Sequence, residues 1–349
     1  MVRPMIKSIV LGSFLTIGSV YLVVQALRPF RHQAVTPSIE VRTAPEAAGG
    51  VETSIPADSA ASLTSQPELR YRVDRLSRSQ VHRLQIPIDR FEVVPAVSET
   101  TALPEVFAQM PQVLAVLNGG FFDPHNQQTT SYIRLQGQLV ADPAQNDRLM
   151  QNPDLATYLD RILDRSEFRR YQCGSNLRYD IARHRAAIPD GCELLESLGA
   201  GPQLLPEFTA ETEGFLAMDD TGTIVRDALG SQQPNARTAI GITATGDLLW
   251  VMVAQQPEVA ESGMTLLELT DYLRQQGAVK AMNLDGGSSS ALWIADYLRA
   301  NPITLNYMST DRLLSVDTAI SGITIYGRYR DRDAIVRPVK SVLLLKPRI

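Results

Sequence analysis

Residues 8–27 carry no charge, and Arg3, Lys7, Arg28 and Arg31 flank them. Twenty uncharged, mostly apolar residues match the thickness of a bilayer core. A cleavable signal peptide has a shorter core, of about 7–15 residues, so residues 1–33 read as an uncleaved signal anchor. Residues 34–68 are rich in Ala, Pro, Ser, Thr and Glu and show no apolar period. Such a segment buries too little apolar area to offset its ordering entropy. It reads as a flexible linker between membrane and domain.

Period-two apolar patterns begin near Leu69, at Tyr71-Arg-Val73, Val81-His-Arg-Leu84-Gln-Ile86 and Phe91-Glu-Val-Val94. A short helix is expected over 103–110. Residues 113–117 form a continuous apolar run, short enough for a strand buried on both faces. Tyr132 to Val140 alternates around Gly137 as a tight hairpin does. Leu155, Leu159, Ile162 and Leu163 share one helical face, which predicts a helix over 153–170 with Asn152 or Asp154 near its N-cap. The turn 244–247 and the apolar run 248–253 predict a returning strand. A second helix is expected over 265–276, with Leu266, Leu269 and Leu273 inward and Gly277 at its C-terminal cap. A short buried strand is then expected at 278–282, an apolar run resumes at 291–294, and a last strand is expected at 320–326.

Long apolar strands beside polar ones, with only two strong helices, point to an α+β fold, with α/β as the alternative. The expected architecture is one domain over 69–330, a mixed sheet with helices packed around it. From Arg328 on, seven Arg or Lys residues accompany an apolar patch at 342–345. Residues 331–349 are set apart as a basic C-terminal tail of no assigned role.

Composition adds little and excludes some classes. With 44% hydrophobic and 20% charged residues the chain is globular, and a net charge of −5 with no basic block gives no reason to expect nucleic acid. Cys173 and Cys192, 19 apart, are an even pair, and outside the cytosol such a pair is expected to be bridged. The domain is accordingly placed outside the membrane, periplasmic or extracellular.

Three polar segments stand at predicted strand ends, two of them glycine-bearing: Asn118-Gly-Gly-Phe-Phe-Asp123, Asn235-Ala-Arg237-Thr238, and Asn283-Leu-Asp285-Gly286-Gly287-Ser288-Ser-Ser290. Together they hold two carboxylates, one guanidinium, three amides, several hydroxyls and four turn glycines. The four histidines are scattered, and no His/Cys/carboxylate set has zinc-like spacing, so neither a metal nor another cofactor is expected. A G-x-S-x-G elbow, a P-loop and a dinucleotide fingerprint are all missing.

Asn118-Gly-Gly-Phe-Phe-Asp123, Arg237-Thr-Ala-Ile-Gly241 and Asn283-Leu-Asp-Gly-Gly-Ser-Ser289, in this order and with Gly199-Ala-Gly-Pro-Gln-Leu-Leu205 between the first two, resemble the signature segments of the phosphodiester glycosidases. The resemblance covers roughly residues 69–327. Many relatives carry a third glycine where this chain has Ser288, and a proline where it has Ala236. The resemblance implies hydrolysis of a sugar–O–phosphate diester at the anomeric carbon. Asp285 would activate water or attack the sugar. Arg237 would bind phosphate through its planar fork. Asp123 would hold sugar hydroxyls or act as partner carboxylate. Asn118, Gly119, Gly120, Thr238, Asn283, Gly286, Gly287 and Ser288 would position hydroxyls and phosphate oxygens. The phosphomonoester leaving group is a weak base, so the second carboxylic acid of most glycosidases is dispensable. The expected partners are a sugar phosphodiester or glycan of the cell envelope and, through residues 1–33, the membrane. A non-catalytic glycan-binding module is the other reading of the same segments.

Overall fold

The centre of sheet A is buried on both faces, and its strand sequences show why. A computed structural model describes residues 68–300 and 320–348, so the anchor and nearly all of the linker lie outside the described residues. In the strand Leu248–Gln255 (β14), Leu248, Trp250, Met252 and Ala254 enter one core. Leu249, Val251 and Val253 enter another. The helix Leu266–Gln275 covers the second core with Leu266, Leu269 and Leu273. Its N-terminus is closed by a reciprocal capping box, Thr265 with Glu268.

Sheet A has the order β1 (Arg70–Arg75), β2 (Ser79–Ile86), β14, β13 (Arg237–Thr243), β15 (Ala278–Asn283) and β10 (Gln203–Leu205). Sheet B runs β17 (Gly322–Tyr326), β16 (Ala291–Ala295), β4 (Ala115–Asn118), β20 (Val339–Pro347) and β3 (Phe91–Ala102). Sheet C runs β6 (Gln138–Ala141), β5 (Ile133–Leu135), β9 (Cys192–Gly199), β7 (Ser166–Cys173) and β8 (Asn176–Arg183). Two small hairpins complete the set, β11 (Leu216–Met218) with β12 (Ile224–Asp227), and β18 (Tyr329–Arg330) with β19 (Asp333–Ala334). Residues from all three sheets meet in one apolar core, among them Trp250, Leu117, Leu343 and Phe168.

The fold is therefore a β-rich single domain with few helices. Every strand pair among the described residues is antiparallel, which corrects the mixed sheet and the α/β alternative. The continuous apolar runs that suggested parallel strands arise because a helix covers one face of sheet A and two other sheets cover the opposite face. The helix expected over 153–170 is also corrected. Pro153–Tyr158 is a 3-10 turn, Leu159–Ile162 one α-turn, and the chain then enters β7. There Glu167 and Arg169 form a buried ion pair, and β8 and β9 supply the strand's hydrogen bonds.

The largest correction concerns the C-terminus. Residues 331–349 were set outside the domain, yet β20 lies between β3 and β4 with Val342 to Leu345 fully buried. Cys173 and Cys192 are bonded, and they stand opposite each other on β7 and β9. Among the described residues no helix is long and apolar enough to span a membrane.

Candidate active site

The three polar segments converge where β4 and β15 end and β13 begins. Asn118, fully buried, closes β4 and ties them together. Its amide donates to Asp285 O at 2.6 Å and accepts from Thr238 Oγ1 at 2.8 Å and from Ala291 N at 3.0 Å. Backbone bonds repeat the connection, from Asp285 N to Gly119 O, Leu284 N to Thr238 O and Gly287 N to Ala236 O. Thr238 and Asn118 thus hold loops in place, with their polar atoms already paired.

Gly119 and Gly120 act by close approach. Gly119 N donates to Ser341 O, and Gly120 N to Ser341 Oγ, both on β20. A Cβ on Gly120 would collide with Gly199 O, and one on Gly119 would stand 2.7 Å from Ser341 Oγ. Their N–H groups are therefore committed within the fold, contrary to the substrate contacts expected of them.

Asp285 is half-buried on the loop after β15. Gly286 N donates to its Oδ1 at 3.0 Å. Burial pushes its pKa up to about 6, although the Ser289 hydroxyl, the charge of Arg337 and the Gly286 N–H each oppose the rise. The loop can turn so sharply because Gly287 sits at φ +61°, in the left-handed region. Asn283 donates to Gly201 O and Leu284 O, while its buried Oδ1 has no partner.

Arg237 departs most from expectation. It is buried, and its guanidinium donates to Met264 O, Leu229 O, Gly230 O and Gln233 O at 2.7–3.0 Å. Burial lowers its pKa to about 10, with Asp227 opposing. Four of its five donors are held by carbonyls, so it clamps the 229–233 loop and has no free fork for phosphate. Asp123 is also committed. Desolvation would raise its pKa, but the His125 N–H at 2.8 Å and Arg148 Nε at 2.7 Å hold it below the usual carboxylate range. Among the described residues no hydrogen bond or ion pair joins it to Asp285.

The sequence reading missed the arginines nearest the Asp285 loop. Arg337 donates from Nη1 to Ser288 Oγ at 2.7 Å and lies over the Phe122 ring at 5.3 Å. Arg328 Nη1 stands 3.4 Å from where a Cβ on Gly287 would be. Both precede β20. The apolar run 342–345 was the available signal, since a strand there draws residues 328–337 back over the site. Among the described residues no cluster of three or more His, Cys, Asp or Glu side chains is placed to hold a metal.

The phosphodiester glycosidase family model matches residues 111–321, a span holding all three segments. The chain belongs to the phosphodiester glycosidase family. It is 38% identical over 68 residues to the mouse N-acetylglucosamine-1-phosphodiester alpha-N-acetylglucosaminidase. That stretch is 20% of this chain and 13% of the mouse protein's length. The fold is similar to the zebrafish N-acetylglucosamine-1-phosphodiester alpha-N-acetylglucosaminidase catalytic domain, auto-inhibited by its pro-peptide. The TM-score is 0.52 at 18% identity, over 83% of this chain and 87% of that one. Arg328 and Arg337 lie beyond the span that the family model matches.

Proposed function

We propose that this phosphodiester glycosidase hydrolyses the bond between the anomeric carbon of a sugar and a phosphodiester oxygen, in a glycan or glycolipid of the cell envelope. The observation that carries the reading is Asp285. It is a half-buried carboxylate with its pKa pushed up to about 6, at the junction of all three segments and within the field of Arg337. A carboxylate in that range suits general-base work at neutral pH. Ionised, it also suits attack on the sugar. On either route the C1–O bond breaks, the bridging oxygen leaves with phosphorus, and water supplies the new C1 hydroxyl.

Arg337 takes the phosphate-binding role that the sequence assigned to Arg237, with Arg328 beside it. Ser288 carries that arrangement, because its hydroxyl holds Arg337 where a glycine would leave the guanidinium loose. The expelled phosphomonoester needs little protonation, which agrees with the commitment of Asp123 to Arg148. The disulfide supports an extracytoplasmic site of action.

The test is turnover of synthetic sugar 1-phosphodiesters bearing a chromogenic group. Activity is expected to rise with pH along a limb near 6, as Asp285 ionises. Asp285→Asn should lower kcat by at least about 10²-fold. If no member of a broad panel is cleaved, a glycan-binding module is the correct reading.

A further inference from the structure

Arg165 is a buried cation that the candidate site has not yet used. The residue is 9% exposed, and its only hydrogen bond among the described residues runs from Nε to Glu213 O at 3.1 Å. The charge of Glu213 favours it, but among the described residues no ion pair joins the two side chains. That carboxylate accepts from Ser166 Oγ, Gln203 N and Thr209 Oγ1 at Oε1 and from Ser166 N at Oε2, so it is held by these donors. The terminal nitrogens of Arg165 are also absent from the sealed, unpartnered atoms such as Asn283 Oδ1. The residual exposure of Arg165 therefore reaches them.

Burial without an ion pair lowers the Arg165 pKa to about 9. Glu213 opposes the fall, and the charge of Arg226 adds to it. A guanidinium so placed costs free energy unless something anionic meets it. Its setting also gives it a shape. The guanidinium lies 3.6 Å from the centroid of the Phe215 ring. Phe215 in turn packs against Phe121 of the first segment, with centroids 5.5 Å apart. The same Phe215 ring lies 3.2 Å from where a Cβ on Gly201 would stand, and Gly201 O accepts the Asn283 amide. Arg165 is thus linked through one aromatic ring to the first segment and to the Asn283 end of the third.

We propose that Arg165, stacked on Phe215, is a subsite for a carboxylate carried by the sugar, so that the preferred substrate is a phosphodiester of an acidic hexose. This rests on the hydrolase reading above and adds the sugar class. Arg328 and Arg337 stand at the Gly287–Ser288 end of the third segment, and Arg165 connects to its Asn283 end. Along that segment Asp285 stands between the two ends. Phosphate and carboxylate would then be gripped on opposite sides of the anomeric carbon. A carboxylate fits better than a second phosphate because Nη1 and Nη2 offer one planar fork.

The test compares binding to the full chain, by calorimetry, of the glycerol 1-phosphodiesters of α-glucose, α-glucuronic acid, α-galactose, α-galacturonic acid and glucose 6-phosphate. At least one hexuronate should bind about tenfold or more tightly than its neutral hexose, the scale of a hydrogen bond to a charged group. In Arg165→Gln the ratio should fall to within about twofold, and Arg165→Lys should keep part of it. Melting temperatures check that each variant folds. If the glutamine variant does not fold, the lysine variant decides, because an unchanged ratio there means that the fork is not used. The proposal is overturned by equal binding of acid and neutral sugars, by a preference that survives Arg165→Gln, or by the 6-phosphate outcompeting both uronates. Hydrolysis is scored separately. Cleavage of the neutral diesters without a uronate preference removes the subsite and leaves the hydrolase; a uronate preference without cleavage of any diester removes the hydrolase.

Discussion

Asp285→Asn should abolish turnover and make the protein more stable at neutral pH. Burial lifts the carboxyl from its ordinary 3.8 to about 6. Each pH unit of such displacement is about 1.4 kcal/mol. Keeping the group ionised near pH 7.5 therefore costs the native state about 3 kcal/mol relative to the unfolded chain. The sign follows from proton uptake. Between the two pKa values the native state holds the proton more tightly than the unfolded state does, so stability falls as pH rises through about 4 to 6. Asparagine has nearly the same shape, still accepts from Gly286 N and carries no such dependence. It does remove the opposite charge facing Arg337, which subtracts from the gain. A net stabilisation of about 1–2 kcal/mol is expected near pH 7.5, shrinking to a few tenths near pH 4. Urea denaturation of both proteins at the two pH values measures it, alongside kcat. The reasoning is refuted if Asp285→Asn is the less stable protein near pH 7.5, or if the difference does not change with pH. A stability gain paired with lost turnover would mark Asp285 as a group kept for function at the expense of folding.

Arg237→Lys should destabilise the fold by about 2–4 kcal/mol, because buried carbonyls lose their donors; a native urea midpoint with a raised KM would instead return the phosphate role to Arg237. Arg337→Ala should raise KM for a sugar phosphodiester about tenfold or more at low salt, with the effect weakening as salt is added; an unchanged KM would count against its contact with phosphate. Truncation after Arg330 should give no folded protein by circular dichroism. It deletes four fully buried β20 side chains worth about 6–12 kcal/mol, comparable with the whole stability of a domain. Replacing Cys173 and Cys192 together by serine should cost about 3 kcal/mol in urea denaturation on chain-entropy grounds; stability equal to the native protein would show that the cross-strand pairing alone holds β7 to β9.

What the sequence determined by itself was local. The hairpin around Gly137 forms as its pattern predicts, with Gln136 and Gly137 both at positive φ. The helix after Thr265 carries its start signal in its own first turn. The first and third polar segments stand at strand ends because an apolar run that runs into an amide and two glycines ends a strand wherever the chain is placed. Sheet order and strand direction were decided only by the tertiary structure. A run buried on both faces reads the same whether a helix or a second sheet covers it, so β14 alone does not distinguish parallel from antiparallel neighbours. Residues 153–170 show the same limit. Their apolar spacing fits a helix, but Ser166 to Cys173 pair with β8 on one side and β9 on the other, neighbours that local spacing does not encode. The site divides along the same line. Asp285 was legible because its loop chemistry is contiguous. The duty of Arg237 was not, since it depends on carbonyls at 229–233 and 264 that fold back onto its guanidinium. Arg328 and Arg337 enter only because β20 inserts between β3 and β4. The residue types at a site are written in the chain, but what each side chain is free to do is set by which distant donors and acceptors packing has already matched to it.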